Sequence, residues 1–137
     1  MAPSGDPEWL GATPDGSLSW EYLPQGEMAM TAPLYGDVAF SNGVYVHGVL
    51  QEIVVANDGR FAYLQEATLR RTRHSYLLDF AARTLYVLDL YRSWEVVGIH
   101  EGALWRNDGT RAAEIEQLIK SARAVPLIER EGRWVTH

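Results

Sequence analysis

Four histidines, His47, His74, His100 and His137, are the side chains of this chain best suited to move a proton near neutral pH. No two stand at the spacing of a metal-binding pair, and H-E-x-x-H and H-x-H are both missing. Cysteine is absent from all 137 residues, which removes thiolate zinc sites, iron–sulfur clusters, disulfides and thiol catalysis together. No metal and no cofactor is therefore expected. His47 beside Tyr45, and His100 before Glu101, read first as hydrogen-bonded strand histidines. Paired with Glu101 or Asp79, either could instead serve as acid and base. Asp79 and Asp89, in L-L-D-F and V-L-D-L, could form a carboxylate pair with shifted pKa values if their strands are neighbours. The plainer reading has each Asp binding turn backbone, with Arg83 close enough to neutralise Asp79.

The densest basic cluster is residues 69–74, where Arg70, Arg71, Arg73 and His74 could hold a phosphate or carboxylate. Tyr63 and Tyr76 nearby could stack a ring against such a ligand. A solvated hairpin loop is the competing account of the same residues. No G-x-G-x-x-G or G-K-[ST] loop supports phosphate binding, and no Ser lies in G-x-S-x-G, so the chain is read as non-catalytic.

These residues hang on a chain that is read as mainly β, in the α+β style. From residue 37 to about 105 the pattern is two-residue alternation rich in β-branched and aromatic side chains. Strands are expected at 37–40, 44–50, 52–56, 60–65, 75–80, 84–90, 94–100 and 103–105. Ser41-Asn42-Gly43, Asn57-Asp58-Gly59 and Ala81-Ala82-Arg83 are hairpin turns, so an antiparallel meander or sandwich-like sheet follows. Ile115, Leu118, Ile119 and Ala122 then fall on one face of a C-terminal amphipathic helix over about 110–123. Asp108 or Thr110 would cap it, Lys120 and Arg123 would lie in its last turns, and it would pack across the sheet. Residues 127–135, with Glu131-Gly132 at the turn, form a final hairpin.

A single domain over 1–137 is expected, long enough to fold on its own hydrophobic core. Five of the six prolines fall in the first 36 residues, which are read as an irregular, acidic Pro/Gly-rich arm packed on the body. One strand, 18–23, is expected within it. The first residues contain neither a basic group nor an apolar run, and no stretch reaches the ~18 apolar residues of a membrane helix. A cytoplasmic location and no membrane partner are expected.

Charge is distributed unevenly. Residues 1–59 hold eight carboxylates and no Lys or Arg, whereas residues 60–137 hold twelve basic and ten acidic groups. A net charge of -6 argues against nucleic acid as a partner. An acidic front selects a basic protein, and exposed aromatics make interface hot spots. The candidate contact set is Trp20, Glu21, Tyr22, Glu27, Asp37, Glu52 and Asp58.

Two resemblances follow from these residues. Residues 57–90, with the Asp58-Gly59 turn, R-F-A-Y-L, a basic loop, Y-L-L-D-F and L-Y-V-L-D-L, resemble one blade of a β-propeller. That likeness implies antiparallel pairing and no function. In length, acidity, missing cysteine and a sheet with one helix, the chain also resembles small acidic immunity proteins that neutralise bacterial toxins. It implies an inhibitor that occludes a basic toxin or enzyme. The alternatives are a small enzyme or anion-binding protein built on residues 70–74 with Asp79 or His47, which requires those residues to meet in a pocket, and an accessory subunit that pairs through its sheet edges.

Overall fold

The computed structural model describes residues 9–27, 34–68, 74–88 and 95–136. Among the described residues the protein is mainly β with one short helix, and every ladder between its strands is antiparallel, with one isolated parallel bridge between Val44 and Trp134. β1 (Leu10–Ala12), β2 (Ser19–Glu27), β3 (Leu34–Phe40) and β4 (Tyr45–Leu50) form a first sheet in chain order. β5 (Val54–Val55), β6 (Phe61–Gln65), β7 (Ser75–Asp79) and β8 (Thr84–Leu88) build the central sheet. β9 (Val96–His100), β10 (Ala103–Arg106) and β11 (Arg111–Glu114) form a third, followed by α1 (Ile115–Ser121). The chain then returns as β12 (Arg123–Pro126) on the free edge of β8, and closes with the hairpin of β13 (Ile128–Arg130) and β14 (Arg133–Val135).

The central sheet is covered on both faces. Alternate residues along a strand point to opposite faces, and here they enter two separate cores. Ala62, Leu64, Leu78, Leu85 and Val87 pack with Tyr22, Val38, Phe40, Val46 and Val49 of the first sheet. Tyr63, Leu77 and Leu88 pack with Val96, Ile99, Leu104, Ile115 and Leu118 of the third sheet and the helix. Tyr63, Leu64, Leu77 and Leu78 are each at most 1% exposed. The apolar runs of β6 to β8 are the sequence form of a sheet with no wet face.

The turn signals act as their chemistry requires. Asn42 Oδ1 accepts a hydrogen bond from the Val44 amide at 3.1 Å, and Asp58 Oδ1 one from the Arg60 amide at 2.9 Å. Gly43 and Gly59 follow at φ +94° and +73°, where an L side chain is strained.

Three expectations need correction. The front of the chain is more regular than its Pro and Gly spacing predicts, because β1 and a nine-residue β2 stand where one strand, 18–23, was expected. Pro24, opposite Gly36, is the last paired residue of β2 before a register shift against β3, beside the bulge that Gln25 makes. Gly11 leaves room for the Trp20 indole, which any Cβ there would overlap.

The helix is also shorter than 110–123. Residues 111–114 pair with β10, so Asp108 and Thr110 are not its caps. Asp108 instead closes the preceding turn, accepting from the Thr110 amide at 2.9 Å and hydroxyl at 2.6 Å. Arg123 belongs to β12, where the chain gains a ladder with β8.

Arg83, finally, does not neutralise Asp79. It lies 3.8 Å over the Trp134 ring, while Arg60 holds Asp79 through Nε at 2.9 Å and a terminal nitrogen at 3.1 Å.

Candidate functional site

The first sheet has one face in the core and one face open. Trp20, Tyr22, Val38, Phe40 and Val46 line the inner side. Cross-strand partners share a face, so Glu21, paired with Leu10 and Ala39, and Asp37, paired with Leu23, belong to the outer side. Leu10 is 50% exposed, and Tyr35, also on this sheet, is 39% exposed over Gly26. A cation from the C-terminal hairpin reaches this face: Arg133 lies 4.4 Å over the Tyr45 ring.

Asp37 organises this face. Its Oδ2 accepts from the Tyr45 hydroxyl at 2.7 Å and lies 3.1 Å from His47 Nδ1, and its Oδ1 accepts from the Gly48 amide at 3.2 Å. Gly48 presents that amide at φ +69°.

The sequence-derived contact residues divide accordingly. Glu21 and Asp37 share the open face. Trp20 is half-buried against Phe40, and Tyr22 is 2% exposed with its hydroxyl donating to the Val49 carbonyl at 2.8 Å, so its ring is core. Glu27 is exposed at the far end of β2, Glu52 after β4, and Asp58 in the turn before β6. Glu21, Glu27 and Glu52 make no hydrogen bond or ion pair within the described residues.

Burial, and secondarily the Asp37 charge, push the Tyr22 hydroxyl up to about 12. Burial, and then the hydrogen bond to Asp37, do the same for Tyr45, also to about 12. A folded value above the unfolded one gives stability that is complete below the unfolded pKa. Stability should therefore hold to about pH 10 and fall as the pH rises through about 12. Urea titrations across this range should show the fall in the native chain. Tyr22→Phe and Tyr45→Phe should each flatten it; an unchanged profile in both would contradict the assignment.

The histidines come together in part. His47 and His74, 27 positions apart, line one cleft between β4 and the strands β7, β8 and β12. His74 Nδ1 lies 3.4 Å from Glu66 Oε1, its amide donates to the same oxygen at 3.3 Å, and the Tyr76 hydroxyl donates to Oε2 at 3.4 Å. Glu66, Arg123 and Thr136 are the polar members of this cleft that sequence reading missed. Each stands at an element boundary and carries no motif. His100 is stacked on Trp105 at 4.7 Å and reaches Glu101 only at 3.9 Å, so no acid–base site forms there. Asp79 lies with Arg60, away from both clusters.

Asp89, Arg70, Arg71, Arg73 and His137 lie outside the described residues. Among the described residues no group of three or more His, Asp or Glu is placed to hold a metal ion. No helix among them is long and apolar enough to cross a membrane. Comparison with family models, curated proteins and solved structures gives no match to this chain.

Proposed function

We propose that the chain is a non-catalytic protein-binding module that docks the open face of its first sheet on a basic protein. Its concrete form is an immunity protein or inhibitor that occludes a basic toxin or enzyme in the cytoplasm. One observation carries the reading: the open face joins exposed Leu10 and Tyr35 to Glu21 and Asp37, in a segment without Lys or Arg before Arg60. Apolar contacts of this kind supply the buried centre of an interface, and the surrounding carboxylates steer the encounter and select the partner. Glu21, Glu27 and Glu52, with no cation bound to them within the described residues, are available to stand in for an anionic substrate of the partner. Trp20 and Tyr22 support the sheet from beneath and touch no partner. The absence of cysteine suits a reducing compartment.

The test compares the native chain with the double variant Leu10→Asp, Glu21→Lys in retention of proteins from the source cell. The reading expects a basic protein, held at about 50 mM salt and largely released at about 500 mM, since screening weakens exposed charge contacts. It also expects at least a ~tenfold loss of retention by the variant. A partner held equally by both chains, or indifferent to salt, would overturn the proposal.

A further inference from the structure

We infer that the cleft between the first and central sheets is a second, separate site, for a small organic anion: a carboxylate or phosphate group on an apolar body. The cleft has a volume of about 400 Å³. Val46, Leu85, Val87 and Val125 give it an apolar surface, and Glu66, His74, Tyr76 and Arg123 give it polar positions. Such a lining, apolar with a few convergent polar groups, suits a small molecule better than a protein surface.

The sign of the ligand follows from hydrogen-bond accounting. Glu66, the carboxylate that lines the cleft, is already supplied with donors. It accepts from the His74 amide and the Tyr76 hydroxyl, with His74 Nδ1 beside it. It has no outstanding demand that a cationic ligand would meet. Arg123 is the reverse case. It is exposed on β12, and its side chain makes no hydrogen bond, ion pair or ring contact with a described residue. A guanidinium beside an apolar wall offers two parallel N–H donors to a carboxylate or phosphate, while the wall takes the rest of the molecule.

The experiment titrates the full chain with benzoate, phenyl phosphate and the uncharged benzyl alcohol, followed by amide shifts in ¹⁵N NMR spectra. Both anions should move the amides of Val46, Val87 and Val125, with dissociation constants of about 0.1–5 mM. Arg123→Gln should weaken both at least ~tenfold, Arg123→Lys should restore part of the loss, and benzyl alcohol should bind all three chains alike. Val125→Trp, which fills the apolar wall, should weaken all three probes. Whichever anion binds more tightly identifies the head group. If neither moves these amides at about 10 mM, or if Arg123→Gln binds them as the native chain does, the inference fails. Matching thermal midpoints for Arg123→Gln and the native chain keep a folding defect from imitating the result.

Discussion

Leu77→Ala and Leu78→Ala should each lower the unfolding free energy by about 3–4 kcal/mol, the cost of deleting a fully buried leucine and leaving a cavity. The two residues are consecutive, so they point to opposite faces of β7, yet both are 0% exposed. Leu78 is held among Tyr22, Val38, Phe40 and Val46, and Leu77 among Tyr63, Ile99, Leu104 and Leu118. A sheet with one wet face would make one of these substitutions nearly neutral. Covering by the first sheet on one side, and by the third sheet and helix on the other, makes both severe. Val97→Ala is the internal control. Its side chain is 58% exposed on β9, and the change should stay within about 0.5 kcal/mol. Urea denaturation with unchanged slope measures all three. A loss under about 1 kcal/mol at either leucine would mean that the corresponding layer does not pack on the central sheet. A domain of this size is stable by about 5–15 kcal/mol, so the two losses together would approach unfolding.

That double burial was legible in part. Alternation located most of the strands, and the turns at residues 41–43, 57–59, 81–83 and 131–132 join the hairpins they predict. The apolar spacing of Ile115, Leu118 and Ile119 gave the inward side of α1, but neither its start nor its end, since Ala122 is already extended. Ala112 and Ala113 suit a helix or a strand, and pairing of Ala113 with Leu104 decides between them. At the front, Pro and Gly read locally as breaks. In the folded chain they are accommodations: Pro24 beside a bulge, Gly11 under an indole, and Gly36 where a Cβ would meet the backbone of Leu23. All three depend on a neighbouring strand that a local pattern cannot display.

The chemistry was less legible for the same reason. His47 and His74 share a cleft because the first and central sheets meet at the bridge between Val49 and Glu66. No spacing in the sequence encodes that contact between sheets. Tyr22 looked like an interface aromatic on composition alone. Its position opposite Val38, on the inner side of β2, makes it core. Arg83 is nearer to Asp79 along the chain than Arg60 is, but it lies in the turn and stacks on Trp134. Strand register pairs Phe61 with Asp79 and so brings Arg60 alongside.

This last contact carries the second large effect. Asp79 has 4% of its side chain exposed, whereas Arg60 has 50%. Burial pushes the Asp79 carboxyl up, but the Arg60 fork and the amides of Ala82 and Ala81 outweigh it and leave the group below the ordinary carboxylate range. Arg60→Gln leaves a buried carboxylate with little but backbone N–H groups. Stranding one partner of a fully buried pair is severely destabilising, and the half-exposed position of Arg60 makes this loss smaller than that full cost. Asp79→Asn should cost less, about 1–2 kcal/mol, because the guanidinium it abandons can turn to water. The double variant should then lie close to Asp79→Asn alone, since the stranded charge is gone.

The pH dependence separates these variants. A depressed folded pKa contributes stability above about pH 4 that is lost as the pH falls through the folded value. In Arg60→Gln the carboxyl has lost the strongest counterweight to burial, so its folded pKa must rise. The gap between this variant and the native chain should therefore be widest near pH 7 and narrow below about pH 4, as both carboxyls take up a proton. A gap constant from about pH 7 to about pH 3 would assign the cost of Arg60→Gln to lost packing over Phe61, which the guanidinium covers at 5.0 Å, and remove the charge account.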